Sequence, residues 1–299
     1  MIARRRAFAR AQTGHARPTT RCHYNADVRV AELRSRLDDL YAHYDHRFVD
    51  PDPLQFVREQ TTDVDREVVG LIASALAYGN VKQIKRSIAR VVAVLGDRPA
   101  EAIDHLDPSE ARARLRGFKH RFNDARDVAC LLFFLKQMRA HAGSVEAFFL
   151  RGPAAQTDIA EALTSFCERT LALDHGGLYS GRRLPAAAGV RFFFPSPRDG
   201  SACKRLNLYL RWMVRRDGVD LGVWKGVDPA RLVIPLDAHI YTIARRVGLT
   251  RYRSPGWPMA LDITRRLRRL DPRDPVKYDF AFHRMGLWKR EAEIASLRR

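Results

Sequence analysis

Ser196-Pro197-Arg198-Asp199-Gly200-Ser201-Ala202-Cys203-Lys204 runs straight into Arg205-Leu206-Asn207-Leu208-Tyr209-Leu210-Arg211-Trp212-Met213-Val214-Arg215, a tight turn opening on a helix. At 100° per residue Lys204, Arg211 and Arg215 share one face and Leu206, Leu210 and Met213 another, so the segment reads as a buried stripe opposite a cationic one. The free backbone N–H groups at its start suit a phosphate, because the helix dipole adds positive potential there.

The same spacing of three and four recurs outward in both directions, as in Val30, Leu33, Leu37 and Leu40. It predicts helices over about 28–45, 64–78, 81–96, 123–141, 156–174, 201–216, 238–248, 257–269 and 274–286. No stretch alternates with a period of two. The fold class is therefore all-α, in one or two domains.

Breaks fall where turn chemistry lies: Asp50-Pro51-Asp52-Pro53, Gly79-Asn80, Gly152-Pro153, His175-Gly176-Gly177 and Ser254-Pro255-Gly256. Residues 175–200 combine glycine, proline and basic residues, and read as a long connection at a lobe boundary or facing a substrate. Downstream, Leu232-Val233-Ile234-Pro235-Leu236-Asp237-Ala238-His239 places Asp237 as N-cap of a helix ending near Gly248. Chemistry alone leaves two readings of each residue open. Asp237 is a cap or a catalytic carboxylate; Lys204 is a phosphate contact or a nucleophile.

The 299 residues suffice for a large core without a staple. Lysine and arginine number 53 against 34 acids, a net charge of +19, which points to a polyanionic partner or to solvated basic helix faces. The longest apolar runs, such as Val68 to Tyr78, are too short and interrupted to cross a bilayer, so no membrane association is expected. Cys22, Cys130, Cys167 and Cys203 lie far apart in sequence, without zinc or iron–sulfur spacing, and read as reduced cytosolic thiols with no metal. Residues 1–27 read as a disordered basic tail, with an organellar transit peptide as second reading.

A glycine turn, a lysine opening a helix and a Pro235-x-Asp237-x-His239 segment opening the next resemble the helix-hairpin-helix DNA glycosylase superfamily. The separation of Lys204 and Asp237, 237 − 204 = 33 residues, is similar to the archaeal 8-oxoguanine DNA glycosylase branch. Lys204-Arg205-Leu206-Asn207, Arg211-Trp212-Met213-Val214-Arg215, Pro235 to His239 and Asp274-Pro275-Val276-Lys277-Tyr278-Asp279-Phe280 also resemble an uncharacterised bacterial family related to those enzymes. Leu71 to Val81 resembles the glycosylase helix and turn whose polar residue probes the gap left by an extruded base. Asn80 maps there, with Tyr78 or Gln83 as nearby alternatives.

The resemblance implies a two-lobed helical bundle over 28–299, with the hairpin and catalytic aspartate at 196–248. It implies DNA repair by a glycosylase with AP lyase activity, acting as a cytoplasmic, nucleoid-associated monomer on duplex DNA that carries a damaged base such as 8-oxoguanine. Lys204, neutralised by desolvation beside Arg205 and Arg211, would be the Schiff-base nucleophile and Asp237 its helper; Gly200, Ser201, Arg205, Arg211, Arg215 and Asn80 would contact DNA. Asp279, Phe280 and His239 would line the base pocket. No cofactor is implied. The competing readings are a non-catalytic helix-hairpin-helix module that grips nucleic acid, and a partner-binding helical protein whose charge reflects its proteome.

Overall fold

A computed structural model of the chain describes residues 20–154 and 156–297, with side chains from Val30 onward. The basic stretch 1–19 and the Cys22 side chain, both of which carried expectations above, lie outside the described residues. The chain is predominantly helical, as its periodicity predicts. α1 (Thr20–His43) begins inside the stretch assigned to the tail and is followed by a short α2 (Leu54–Arg58). Then come α3 (Asp63–Ala75), α4 (Val81–Leu95), α5 (Pro99–Asp104) and α6 (Pro108–Arg114).

A hairpin of two-residue strands, β1 (Lys119–His120) and β2 (Asn123–Asp124), pairs Lys119 with Asp124 and His120 with Asn123. It leads into α7 (Ala125–Ala142), α8 (Val145–Leu150) and α9 (Ala160–Leu171). After a long connection come α10 (Lys204–Val214), α11 (Ala238–Arg246), α12 (Trp257–Leu270), α13 (Asp279–Leu287) and α14 (Glu291–Ser296). No helix among the described residues is long and apolar enough to cross a membrane.

Local chemistry sets the ends of the elements that position the cleft described below. Thr62 caps α3 by accepting from Asp65 N at 3.1 Å, and Asn80 caps α4 by accepting from Lys82 N at 3.0 Å. Asp124 and Asp127 form a reciprocal capping box at α7. The buried apolar side chains form one continuous cluster from Leu37 to Leu297, to which α3 contributes an unbroken buried run from Glu67 to Ala75.

Gly70 lets α10 lie close against α3: a Cβ there would sit 2.9 Å from Met213 Cε and 3.1 Å from Tyr209 Cε2. Gly286 does the same between α13 and α11, where a Cβ would meet His239 Cβ at 2.6 Å. The first approach seats the second half of α10 on α3, and the second seats the end of α13 on the start of α11.

Candidate functional site

A cleft of ≈ 450 Å³ is walled by the loop at Pro51–Pro53, the α3–α4 turn, the starts of α10 and α11, Arg211 and the face of α13 from Asp279 to Leu287. Lys204, Asp237, His239 and Asp279, singled out from sequence, all line it, and so does Arg211. Each is carried by a helix end or first turn.

Lys204 is the first residue of α10 and only half-buried, with Nζ 3.3 Å from the Ala77 carbonyl oxygen. The preceding residue, Cys203, takes a left-handed φ of 48° and is buried, its Sγ donating to Pro195 O at 3.2 Å, so the helix start is fixed from behind. Burial pushes the Cys203 thiol up to about 12, and those of Cys130 and Cys167 upward too, leaving all three inert as nucleophiles at neutral pH.

Asp237 caps α11: its Oδ1 accepts from His239 N and Ile240 N, both at 2.9 Å. Its Oδ2 faces His283 Nε2 at 3.4 Å. Burial holds His283 down to about 4 against the pull of Asp237 and Asp52, so its ring is neutral at pH 7. His239 stacks edge-on against it, ring centroids 5.3 Å apart.

The floor is built from buried ions. Arg211 binds Asp279 Oδ2 through Nη1 and lies 3.1 Å from Asp220 Oδ1 through Nη2. Arg284 donates from Nη2 to Asp52 Oδ2 at 3.0 Å and to Val49 O at 3.1 Å. Burial raises Asp279 to about 6, with Arg211 opposing and Asp237 adding to the rise.

Several buried polar atoms at this floor lack a partner: Asp279 Oδ1, Arg284 Nε and Nη1, and His283 Nδ1. Orphaned polar atoms this deep are costly, and a ligand bearing complementary donors and acceptors would satisfy them. Among the described residues no group of three or more His, Cys, Asp or Glu side chains is placed to hold a metal ion.

The structure corrects the expected cationic face of α10. Every residue from Arg205 to Val214 is buried, and Arg211 and Arg215 are each 2% exposed, so neither reaches a phosphate. Arg215 donates from Nε to Asp274 at 2.9 Å and from Nη2 to Asp217 Oδ2 at 2.8 Å, and it binds Asp220 through Nη1. Asp217 and Asp220 from the loop after α10, with Asp274 and Asp279 from further along the chain, neutralise the stripe, which helix periodicity does not reveal.

Arg205 lies inside as well, donating to Ala75 O at 3.0 Å and to Phe192 O. Burial lowers it to about 10, and it stays charged without a carboxylate, over the rings of Phe192 and Tyr78. Phe280 is packed, not pocket-lining: it is 3% exposed beneath the Arg284 guanidinium, 4.5 Å from its ring centroid. The face argument thus fails for Arg211 and Arg215, and the roles that the resemblance implied fail for Arg205 and Phe280.

Gly200 ends a 3-10 turn at Pro197–Asp199 with φ 74°, and its carbonyl accepts from Trp257 N at 3.0 Å. Ser201 Oγ accepts from Cys203 N at 3.2 Å. Both stay on the surface side of the turn, outside the cleft lining, and exposed Asn80 sits one residue beyond Gly79 at its rim.

Sequence reasoning missed His283, Arg284 and Asp52. His283 lies at i+4 from Asp279, one turn along the same helix face, which is the signal that would have found it. Asp52 read only as turn chemistry, because its partner Arg284 is 232 residues away.

Residues 52–288, a span that holds this cleft, match the model of a family described as protein of unknown function (DUF2400). No curated protein and no solved structure matches the chain.

Proposed function

Because the chain belongs to the DUF2400 family, of unknown function, its activity has to be read from its cleft, and we propose that it is a DNA glycosylase with AP lyase activity. One observation carries the reading: the Lys204 amine and the Asp237 carboxylate, 33 residues apart in sequence, line one cavity of ≈ 450 Å³. That volume suits a nucleobase with its sugar, and a glycosidic bond is reached only when the nucleotide leaves the stack.

The chemistry follows from the two groups. Lys204 Nζ, once unprotonated, attacks the sugar C1′; the glycosidic bond breaks, its electron pair goes to the base, and the base leaves with the proton that the attacking nitrogen gives up through Asp237. Asp237 Oδ2 faces the positive charge that develops on the sugar and takes a proton from the attacking nitrogen. Opening of the sugar ring gives the Schiff base. Loss of a C2′ proton then expels the 3′ phosphate, and water hydrolyses the imine to free Lys204.

Asp279, with its unpartnered Oδ1, and His239 sit where a base edge would be read, and the partnerless guanidinium nitrogens of Arg284 offer donors beside them. The turn from Pro197 through left-handed Gly200 into α10 supports a helix-hairpin-helix assignment at 196–248, with 175–200 joining two helical lobes. Duplex DNA with a damaged base is the partner, 8-oxoguanine the first lesion to test, and a monomer in the cytoplasm, on the nucleoid, the working form.

The test is borohydride trapping on duplexes carrying 8-oxoguanine, uracil or an abasic site, with a base-release assay alongside. An adduct that vanishes in Lys204→Gln supports the lysine mechanism, and the substrate giving it names the lesion. Salt-sensitive binding with neither adduct nor base release would leave a non-catalytic nucleic-acid-binding module in its place.

A further inference from the structure

The rim of the cleft carries an aromatic cluster that the chemistry above does not use. The β1–β2 hairpin turns through Arg121 and Phe122, and Phe122 is 65% exposed, more than any other large hydrophobic side chain among the described residues. Phe192, 40% exposed, and half-buried Tyr78 stand behind it. The Tyr78 and Phe122 rings are nearly parallel at 6°, centroids 6.5 Å apart, and Phe192 lies 4.9 Å from Tyr78 and 5.6 Å from Phe122.

The hairpin is a rigid mount. His120, wholly buried, sets Nδ1 2.8 Å from Ser87 Oγ and Nε2 3.0 Å from Tyr78 O. The Tyr78 hydroxyl lies 2.9 Å from His120 O and 2.6 Å from Asn123 Oδ1, and Asn123 donates to Gly189 O at 2.8 Å. Arg121 accepts a left-handed φ of 50°, unfavourable for a residue with a side chain. Its Cδ lies against Gly79, whose φ of 96° favours glycine at that position. A fixed hairpin that holds a phenyl ring out in water is preorganised for a partner.

The surroundings select that partner. Arg121 lies over the Phe122 ring at 5.2 Å and Arg205 over Phe192 at 4.1 Å. Among the described residues, exposed Lys82, Lys119 and Arg121 have no acidic partner, in a chain of net charge +19. Exposed rings interleaved with unpaired cations match a flat base flanked by phosphates.

We propose that Phe122 and Phe192 form a stacking platform for an unpaired nucleobase of the DNA whose neighbouring nucleotide occupies the cleft. The assignment rests on the reading of that cleft as a nucleotide site, since Tyr78 and Gly79 belong to both cleft wall and rim.

The experiment uses the full chain and duplexes in which 2-aminopurine sits unpaired beside an abasic site, reading fluorescence and, by anisotropy, affinity. Binding should quench the probe. Phe122→Ala should lose most of that quenching at saturation and weaken binding to this duplex about 10-fold, leave affinity for a fully paired duplex unchanged, and be rescued by Phe122→Trp. Because Phe122 is exposed at a turn tip, its replacement leaves the core intact, which thermal melting checks.

Saturated binding with undiminished quenching in Phe122→Ala and in the Phe122→Ala/Phe192→Ala pair would overturn the platform while leaving the lysine adduct, and so the cleft reading, standing. Failure of the unaltered protein to bind any of these duplexes would overturn both.

Discussion

Asp237 and His283 meet across two helices: the carboxylate caps α11 with Oδ1 and turns Oδ2 toward His283 Nε2, 3.4 Å away on α13. A cap bond fixes the carboxylate's plane, and the neutral imidazole sits on the oxygen that the cap leaves over. The orientation of Asp237 is therefore set from both sides before any ligand arrives.

Acidification should separate two opposed titrations at this site. Burial depresses His283 to about 4, so between about pH 6.5 and 4 the unfolded chain holds a proton that the native one lacks, and stability falls as pH falls. Burial raises Asp279 to about 6, so between about pH 6 and 4 the native chain holds a proton that the unfolded one has released, and stability rises as pH falls. His283→Gln should gain urea resistance relative to the parent on going from pH 7 to 4.5, and Asp279→Asn should lose it. Midpoints that run parallel to the parent in both variants would refute the assignment.

Arg211→Ala should destabilise the fold by about 3–5 kcal/mol, because it strands Asp279 as an unpaired carboxylate in the core and leaves Asp220 with Arg215 alone. A surface phosphate contact would behave oppositely, with stability held within about 0.5 kcal/mol. Urea unfolding distinguishes the two, and a midpoint unchanged in the variant would put Arg211 back on the surface.

How far the sequence could be read follows from length and partner. The nine periodic segments are all helices, since each spans enough residues to display a 3.6-residue repeat. α2, α5, α6, α8 and α14, of five to seven residues, and the two-residue strands are too short to show any period, so they went unread. At the site, Lys204 and Asp237 were legible because turn and cap chemistry is local. Arg215 was misread because helix periodicity does not show that the loop after α10 folds Asp217 and Asp220 back onto it, or that Asp274, 59 residues away, joins them. Phe122 was invisible because a hairpin tip and a core position carry the same residue type.

Glu67 ties α3 to α8: Oε2 accepts from Val145 N at 2.9 Å, and Oε1 accepts from Glu146 N at 2.6 Å and Trp224 Nε1 at 2.8 Å. In Glu67→Gln one oxygen becomes an N–H₂ group facing donors, so about 1–3 kcal/mol should be lost although shape is kept. Thermal melting of Glu67→Gln beside Glu67→Ala checks this; a melting point equal to the parent's in Glu67→Gln would mean these three donors find other acceptors.

The two roles of Asp237 can be pulled apart by paired substitutions. Asn keeps an Oδ1 that accepts from His239 N and Ile240 N, so Asp237→Asn should retain the cap and melt within about 0.5 kcal/mol of the parent. Asp237→Ala loses the cap and should cost about 1 kcal/mol. If the carboxylate stabilises charge on a sugar at the cleft, both should slow single-turnover base release by about 10²-fold or more, the asparagine variant despite its intact fold. Lys204→Gln, on a half-buried side chain that donates to Ala77 O, should remove the borohydride adduct with stability and DNA affinity nearly kept. An asparagine variant as active as the parent would reduce Asp237 to a cap, whatever Lys204 does.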